Sequence, residues 1–161
     1  ISLDAATGAL LWKYDPKVPG QAGRNPCCDI VNRGVAVHQG KVYVASVDGR
    51  LHAIDARTGN KVWEVDTLID HSPSYSSTGE VQIAGHSVII GNSGADMDCC
   101  GVRGYVSGYD LETGKFKWRF FTTPPAPGKA FEHPELAIAE KTWPANRGAK
   151  YSGGEIGRAH V

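Results

Sequence analysis

The sequence predicts an all-β fold, a fragment of a β-propeller with Trp-docking repeats: about two complete blades plus part of another. Three observations carry this. A ten-residue template recurs three times, as Leu3-Asp4-Ala5-Ala6-Thr7-Gly8-Ala9-Leu10-Leu11-Trp12, Ile54-Asp55-Ala56-Arg57-Thr58-Gly59-Asn60-Lys61-Val62-Trp63 and Tyr109-Asp110-Leu111-Glu112-Thr113-Gly114-Lys115-Phe116-Lys117-Trp118. Its periods of 51 and 55 residues are those of propeller or solenoid units. Between the copies lie short apolar runs divided by glycine turns, and 20 glycines with four tryptophans suit tight turns and aromatic packing.

The template has a mechanism. In Asp-x-x-Thr-Gly the Asp and Thr side chains cap a turn and the Gly takes the left-handed position. The turn joins two strands of a hairpin, and the Trp on the second strand docks between neighbouring sheets. These tryptophans carry fold, not chemistry. In the first complete blade, residues 34–38 form strand one, Gln39-Gly40 a turn, residues 41–46 strand two, and Asp48-Gly49 a hairpin signal. Residues 50–54 and 60–65 complete the four strands expected of one blade. The next blade reads 80–83, 87–90, 105–109 and 115–121, while the first survives as its last hairpin. Residues 131–143 read as a loop entering a short helix, with Pro134 in the first turn and Trp143 packing it down.

Composition excludes some functions. Seventeen basic residues balance 17 acidic ones, so nucleic acid is not the main partner. No apolar run approaches the ~18 residues of a membrane span. His38, His52, His71, His86 and His133 show no metal-ligand spacing and read as surface or strand residues.

The chemistry concentrates elsewhere. Cys27 and Cys28 are adjacent, and neighbouring Cα atoms sit ~3.8 Å apart, closer than the ~4.4–6.8 Å of an ordinary disulfide. A bond between them closes a strained, flat ring able to lie against a planar ligand. Alternatively each pairs elsewhere: with Cys99 and Cys100 the chain has four cysteines and three connectivities. Strand directions alternate in a meander, so the start of strand one and the ends of strands two and four share a face. Cys27-Cys28, Arg33, Thr78 and the enlarged loop of residues 91–104 converge there. Arg33 offers a fork of donors for a carboxylate or quinone oxygen. Thr78 and Ser93 offer hydroxyls, Gly91 and Gly94 permit close backbone approach, and Asp96 and Asp98 offer hard oxygen ligands for Ca²⁺. The commoner reading of such acidic loop residues is turn formation, and of such an arginine a surface ion pair.

Together these residues resemble the pyrroloquinoline-quinone (PQQ)-dependent alcohol dehydrogenases, including methanol dehydrogenases and quinohaemoprotein ethanol dehydrogenases. The resemblance covers residues 1–154. Its specific motifs are Cys27-Cys28-Asp29-Ile30-Val31-Asn32-Arg33-Gly34, Ser93-Gly94-Ala95-Asp96 and Gly101-Val102-Arg103-Gly104-Tyr105. It implies an eight-bladed propeller. It implies that Cys27 and Cys28 form a vicinal disulfide stacked on PQQ. Arg33, Thr78 and Ser93 would hydrogen-bond the quinone's carboxylates and carbonyls, Gly94 and Ala95 would add backbone contacts, and Asp96 would bind Ca²⁺. The implied reaction is oxidation of a primary alcohol to an aldehyde by hydride transfer to the quinone C5 carbon, with Ca²⁺ as Lewis acid. Electrons would pass to cytochrome c, an internal haem c or the membrane quinone chain, in the periplasm.

Departures from the pattern matter. Asp96 stands where the family usually has Glu, one methylene longer, which leaves the metal open between Ca²⁺ and a lanthanide and leaves Asp98 as an alternative ligand. Met97-Asp98-Cys99-Cys100 is an insertion before Gly101-Val102-Arg103-Gly104, and Cys99-Cys100 has no assigned role. The catalytic base, an Asp in the family, lies beyond this sequence. The alternatives are a PQQ dehydrogenase for polyvinyl alcohol or a sugar, or a non-catalytic scaffold propeller. Residues 1–154 are expected to be part of the PQQ-binding propeller domain, and residues 155–161 a non-native tail resembling a translated sequencing adapter. A signal peptide is expected to precede Ile1 in the full protein.

Overall fold

The computed structural model describes residues 1–24, 26, 30–93 and 102–143. Among these described residues, ten strands and one α-helix follow in the order β1 (Ser2–Leu3), β2 (Leu10–Trp12), β3 (Ala36–His38), β4 (Lys41–Ala45), β5 (Arg50–Asp55), β6 (Lys61–Asp66), β7 (Gln82–Ala84), β8 (Ser87–Asn92), β9 (Tyr105–Asp110), β10 (Phe116–Phe121) and α1 (Pro134–Glu140). A short 3₁₀ turn, Gly20–Arg24, lies between β2 and β3. The β1–β2 hairpin stands alone, and β3–β4–β5–β6 and β7–β8–β9–β10 form two antiparallel meanders. Strand boundaries fall within two residues of the expected ones, because the glycine turns fix them.

The template turn forms as its residues dictate. In all three copies the Asp Oδ1 accepts the Thr N–H at 2.7–3.0 Å and the Thr hydroxyl at 2.7–2.9 Å. Those bonds hold the carboxyls of Asp4, Asp55 and Asp110 below their ordinary pKa. Gly8, Gly59 and Gly114 sit at φ of 73°, 74° and 70°, where a side chain is strained. The opposite hairpin, Gln39-Gly40, has both central residues at positive φ, as a two-residue hairpin turn requires.

Each sheet then meets the next. Trp12 Nε1 donates to Ala56 O at 2.9 Å, and Trp63 Nε1 donates to Leu111 O at 3.1 Å, so each indole ends on the following sheet's template turn. The indoles lie flush against glycine: a Cβ at Gly59 would sit 2.8 Å from the Trp12 ring, and one at Gly114 2.8 Å from that of Trp63. Between the two four-stranded sheets Tyr43, Leu51, Val81, Val88, Ile90 and Tyr109 form the buried core, flanked by Trp63 and Val65. The Tyr43 hydroxyl reaches Leu111 O at 3.2 Å, so this buried polar group also bridges the sheets.

His52 is the largest surprise in the core. It sits on β5 as a strand residue, but its side chain is fully buried. Its Nδ1 lies 3.0 Å from Tyr14 Oη and its Nε2 2.9 Å from Ser46 Oγ. Glu64 Oε2, 3.2 Å from Nδ1, favours the imidazolium, but burial outweighs it and lowers the pKa from the ordinary 6.5. The unfolded chain therefore binds a proton that the native state resists. Stability is full above pH 6.5 and falls as pH drops below it. Unfolding measured against pH should show this loss, approaching ~1.4 kcal/mol per pH unit. A His52→Gln variant should lose that part of the slope. Gly114→Ala should destabilise a protein carrying this chain by about 2–5 kcal/mol, combining backbone strain with overpacking against Trp63. Gly85→Ala, also at positive φ but with open space around it, should cost only the ~1–2 kcal/mol of strain. Thermal or denaturant unfolding of the two variants separates these terms.

Candidate functional site

The meander places the start of β3, the end of β4, the start of β5 and the end of β6 at one end of the sheet, opposite the template turns. The corresponding ends of β7–β10 follow the same rule. At this end the segments entering β3 and β7 come together. Asn32 shapes the first of them: its Nδ2 donates to Ala45 O at 2.7 Å and its Oδ1 accepts the Gly34 N–H at 2.9 Å. The chain is thereby tied to the end of β4, and Arg33 reaches across to the neighbouring blade.

There it meets Thr78. The Arg33 N–H donates to Thr78 O at 3.1 Å, and Arg33 Nη1 donates to Thr78 Oγ1 at 2.5 Å. Two residues 45 positions apart thus occupy one spot. The Thr78 segment is fastened in turn to the end of β8. Ser76 and Ser93 exchange backbone hydrogen bonds of 2.7 and 3.1 Å in an isolated antiparallel bridge. Ser77 Oγ donates to Gly91 O at 2.9 Å. Arg33 is thus hydrogen-bonded to Thr78, and the residues just before Thr78 are hydrogen-bonded to the strand end that carries Ser93.

The polar balance of this region points to a ligand. Ser93 is buried, and its Oγ has no hydrogen-bond partner among the described residues. Neither has the Oδ1 of fully buried Asn92, whose Nδ2 donates to Thr67 Oγ1 at 2.9 Å. Buried polar atoms left this way cost ~1–3 kcal/mol each. Arg33 is exposed at the rim and Thr78 half-buried beside it. A guanidinium with two hydroxyls, one of them buried and unsatisfied, is a donor set suited to a planar, oxygen-rich anion. These residues fit the PQQ that the sequence implies.

Cys27, Cys28, Gly94, Ala95 and Asp96 lie outside the described residues, as do Asp98 and the Cys99-Cys100 pair. Among the described residues no group of three or more His, Cys, Asp or Glu side chains is placed to hold a metal. The metal assignment thus rests on Asp96 in the sequence. Sequence reasoning missed two residues that build the site. Asn32 stood inside the quoted motif but carried no role there. Ser76 has no sequence signal, because only the fold reveals that it pairs with Ser93. An apolar cavity of about 260 Å³ lies elsewhere, lined by Trp12, Tyr14, Val35, Val37 and His52 among others, and none of Arg33, Thr78 and Ser93 lines it.

Comparison with known proteins shows the family. Residues 1–151 match the PQQ family described as glucose/ethanol/alcohol dehydrogenase, beta-propeller domain. The quinohemoprotein alcohol dehydrogenase ADH-IIG of Pseudomonas putida is 50% identical over 153 residues, covering 95% of this chain and 21% of that protein. The 1-butanol dehydrogenase (cytochrome c) of Thauera butanivorans is 50% identical over 142 residues, covering 88% of this chain and 20% of that protein. The crystal structure of quinohemoprotein alcohol dehydrogenase from Comamonas testosteroni superposes with a TM-score of 0.80 at 47% identity, over 88% of this chain and 21% of that one. The chain spans about a fifth of the length of the curated relatives it matches. Repeats, sheet order and these matches converge on one conclusion: the chain belongs to the PQQ-dependent dehydrogenase family, within its β-propeller domain.

Proposed function

We propose that the protein carrying this chain is a periplasmic quinoprotein that oxidises primary alcohols to aldehydes, with PQQ and Ca²⁺ held on the axial face of an eight-bladed, Trp-docked propeller. The observation that carries the reading is the meeting of Arg33 and Thr78 at the sheet end where Ser93, with its buried, unpartnered hydroxyl, is bridged to Ser76. The relatives, alcohol dehydrogenases whose names carry haem, cytochrome c or quinone, support an alcohol substrate and an acceptor of that kind, here taken as haem c, cytochrome c or the membrane quinone chain. When bound, PQQ with its metal supplies the hydride acceptor that protein side chains lack.

This chain's own residues bind and orient. Arg33 supplies charge-assisted donors to a quinone carboxylate, and Thr78 fixes the guanidinium while keeping its own oxygen near the ligand. Ser93 supplies its hydroxyl from the dry side of the site, where a hydrogen bond is worth more than in water. Asn32 and the Ser76–Ser93 bridge hold these donors in place before the ligand arrives. Cys27 and Cys28, as a vicinal disulfide, would provide a flat apolar floor; Gly94 and Ala95 would add main-chain contacts; Asp96 would ligate Ca²⁺ or a lanthanide.

Dye-linked alcohol oxidation by the full-length protein, reconstituted with PQQ with and without added Ca²⁺, tests the reading. Activity should require both. Oxidation of a sugar or polyvinyl alcohol instead would move the substrate class, and no PQQ binding would leave a scaffold propeller. Arg33→Gln should weaken PQQ binding by about 10–100-fold, the worth of a hydrogen bond to a charged group. Cys27→Ser and Asp96→Ala should each lower the PQQ content of the purified protein. Unchanged content in both would sink the site assignment.

A further inference from the structure

Arg103, which enters β9, uses its side chain and its carbonyl to join three separate segments. Nη1 and Nη2 donate to Glu132 Oε1 and Oε2 at 2.7 and 3.1 Å, a bidentate fork. Nη2 and Nε also donate to Thr123 O, at 2.6 and 3.3 Å. The guanidinium carbon lies 4.4 Å from the centroid of the Phe121 ring at the end of β10. Its carbonyl accepts the Tyr75 hydroxyl at 2.9 Å. Tyr75 packs with Val102 and Tyr105 in a small core of its own, and it directly precedes Ser76, the bridge partner of Ser93.

An ion pair of this exposure, with side chains 16% and 35% accessible, adds little stability by itself. What sets it apart is direction. One guanidinium makes four hydrogen bonds to main-chain and carboxylate acceptors in the segment after β10, while the same residue's carbonyl holds the arm that carries Ser76 and Thr78, the arm bridged to Ser93. Lysine cannot reproduce a planar fork stacked on an aromatic ring.

We propose that Arg103 and Glu132 are positioning residues for the quinone site, clamping the segment after β10 to the Tyr75–Ser76 arm so that Ser93 and Thr78 are held at ligand-binding distance. The clamp rests on the quinone reading above. It touches no ligand; it acts through Tyr75, Ser76 and the entry to β9.

The test uses the full-length protein and PQQ itself, with affinity read by quenching of tryptophan fluorescence and apo-protein stability read by thermal unfolding. Glu132→Gln removes the charge at the rim and leaves the shape. Arg103→Lys keeps the charge and removes the fork. Both should raise the PQQ Kd, Glu132→Gln about threefold to tenfold, with the apo melting temperature within ~2 °C of wild type. A lowered melting temperature with unchanged Kd overturns the clamp in favour of a merely structural pair. A Kd restored to wild type by Arg103→Lys overturns it in favour of a simple charge effect on an anionic ligand. If Arg103→Lys fails to fold, the rim variant Glu132→Gln still decides. Wild-type protein that binds no PQQ overturns the quinone reading and the clamp together; wild-type binding with an unaffected Glu132→Gln overturns the clamp alone.

Discussion

The rest of the structure depends on one contact made twice: an indole lying against a glycine turn of the next sheet. Trp12 covers Gly59 and Trp63 covers Gly114, each donating its N–H to a carbonyl in that turn. Only glycine permits it, since the turn needs a left-handed residue and the ring leaves no room for a Cβ. The contact combines a large apolar area with one directional hydrogen bond, so it sets both the distance and the register between sheets. Trp118 of the third copy lies over Gly108 of its own sheet and is 39% exposed.

Fixing the sheets at the template end fixes what happens at the other. Once the two meanders pack through Tyr43, Leu51, Val88 and Ile90, the segments entering β3 and β7 must run side by side. The Arg33–Thr78 hydrogen bonds are the consequence. The sheet core thus orders a polar site that could not order itself, because each of its members belongs to a different segment. The division is physical: apolar contacts and capped turns hold the fold, while hydrogen bonds between segments order the polar end of the sheets.

The buried polar groups are of two kinds. Tyr43, Thr67 and His52 are buried with partners: Leu111 O, Gly49 O, and the pair Tyr14 and Ser46. They are structural, and His52 makes stability sensitive to acid without entering the chemistry. Four polar atoms are buried without partners among the described residues: Ser93 Oγ and Asn92 Oδ1 where β8 ends at the site, and Thr123 Oγ1 and His133 Nε2 in the segment after β10.

The sequence by itself determined the local structure. Asp-x-x-Thr-Gly turns, glycine hairpins and alternating apolar residues act over a few positions, so their strands and the Pro134 helix start were legible directly. The motif around Cys27–Arg33 and Ser93–Asp96 also identified the family, because unusual residue types stood at fixed spacing. Tertiary structure decided the pairings between distant segments: Arg33 with Thr78, Ser76 with Ser93, Arg103 with Glu132. It also decided that His52, an ordinary strand histidine in the sequence, is fully buried. None of these has a local signature, since a hydrogen bond across 17 or 45 positions depends on how two sheets pack and not on what either segment prefers alone.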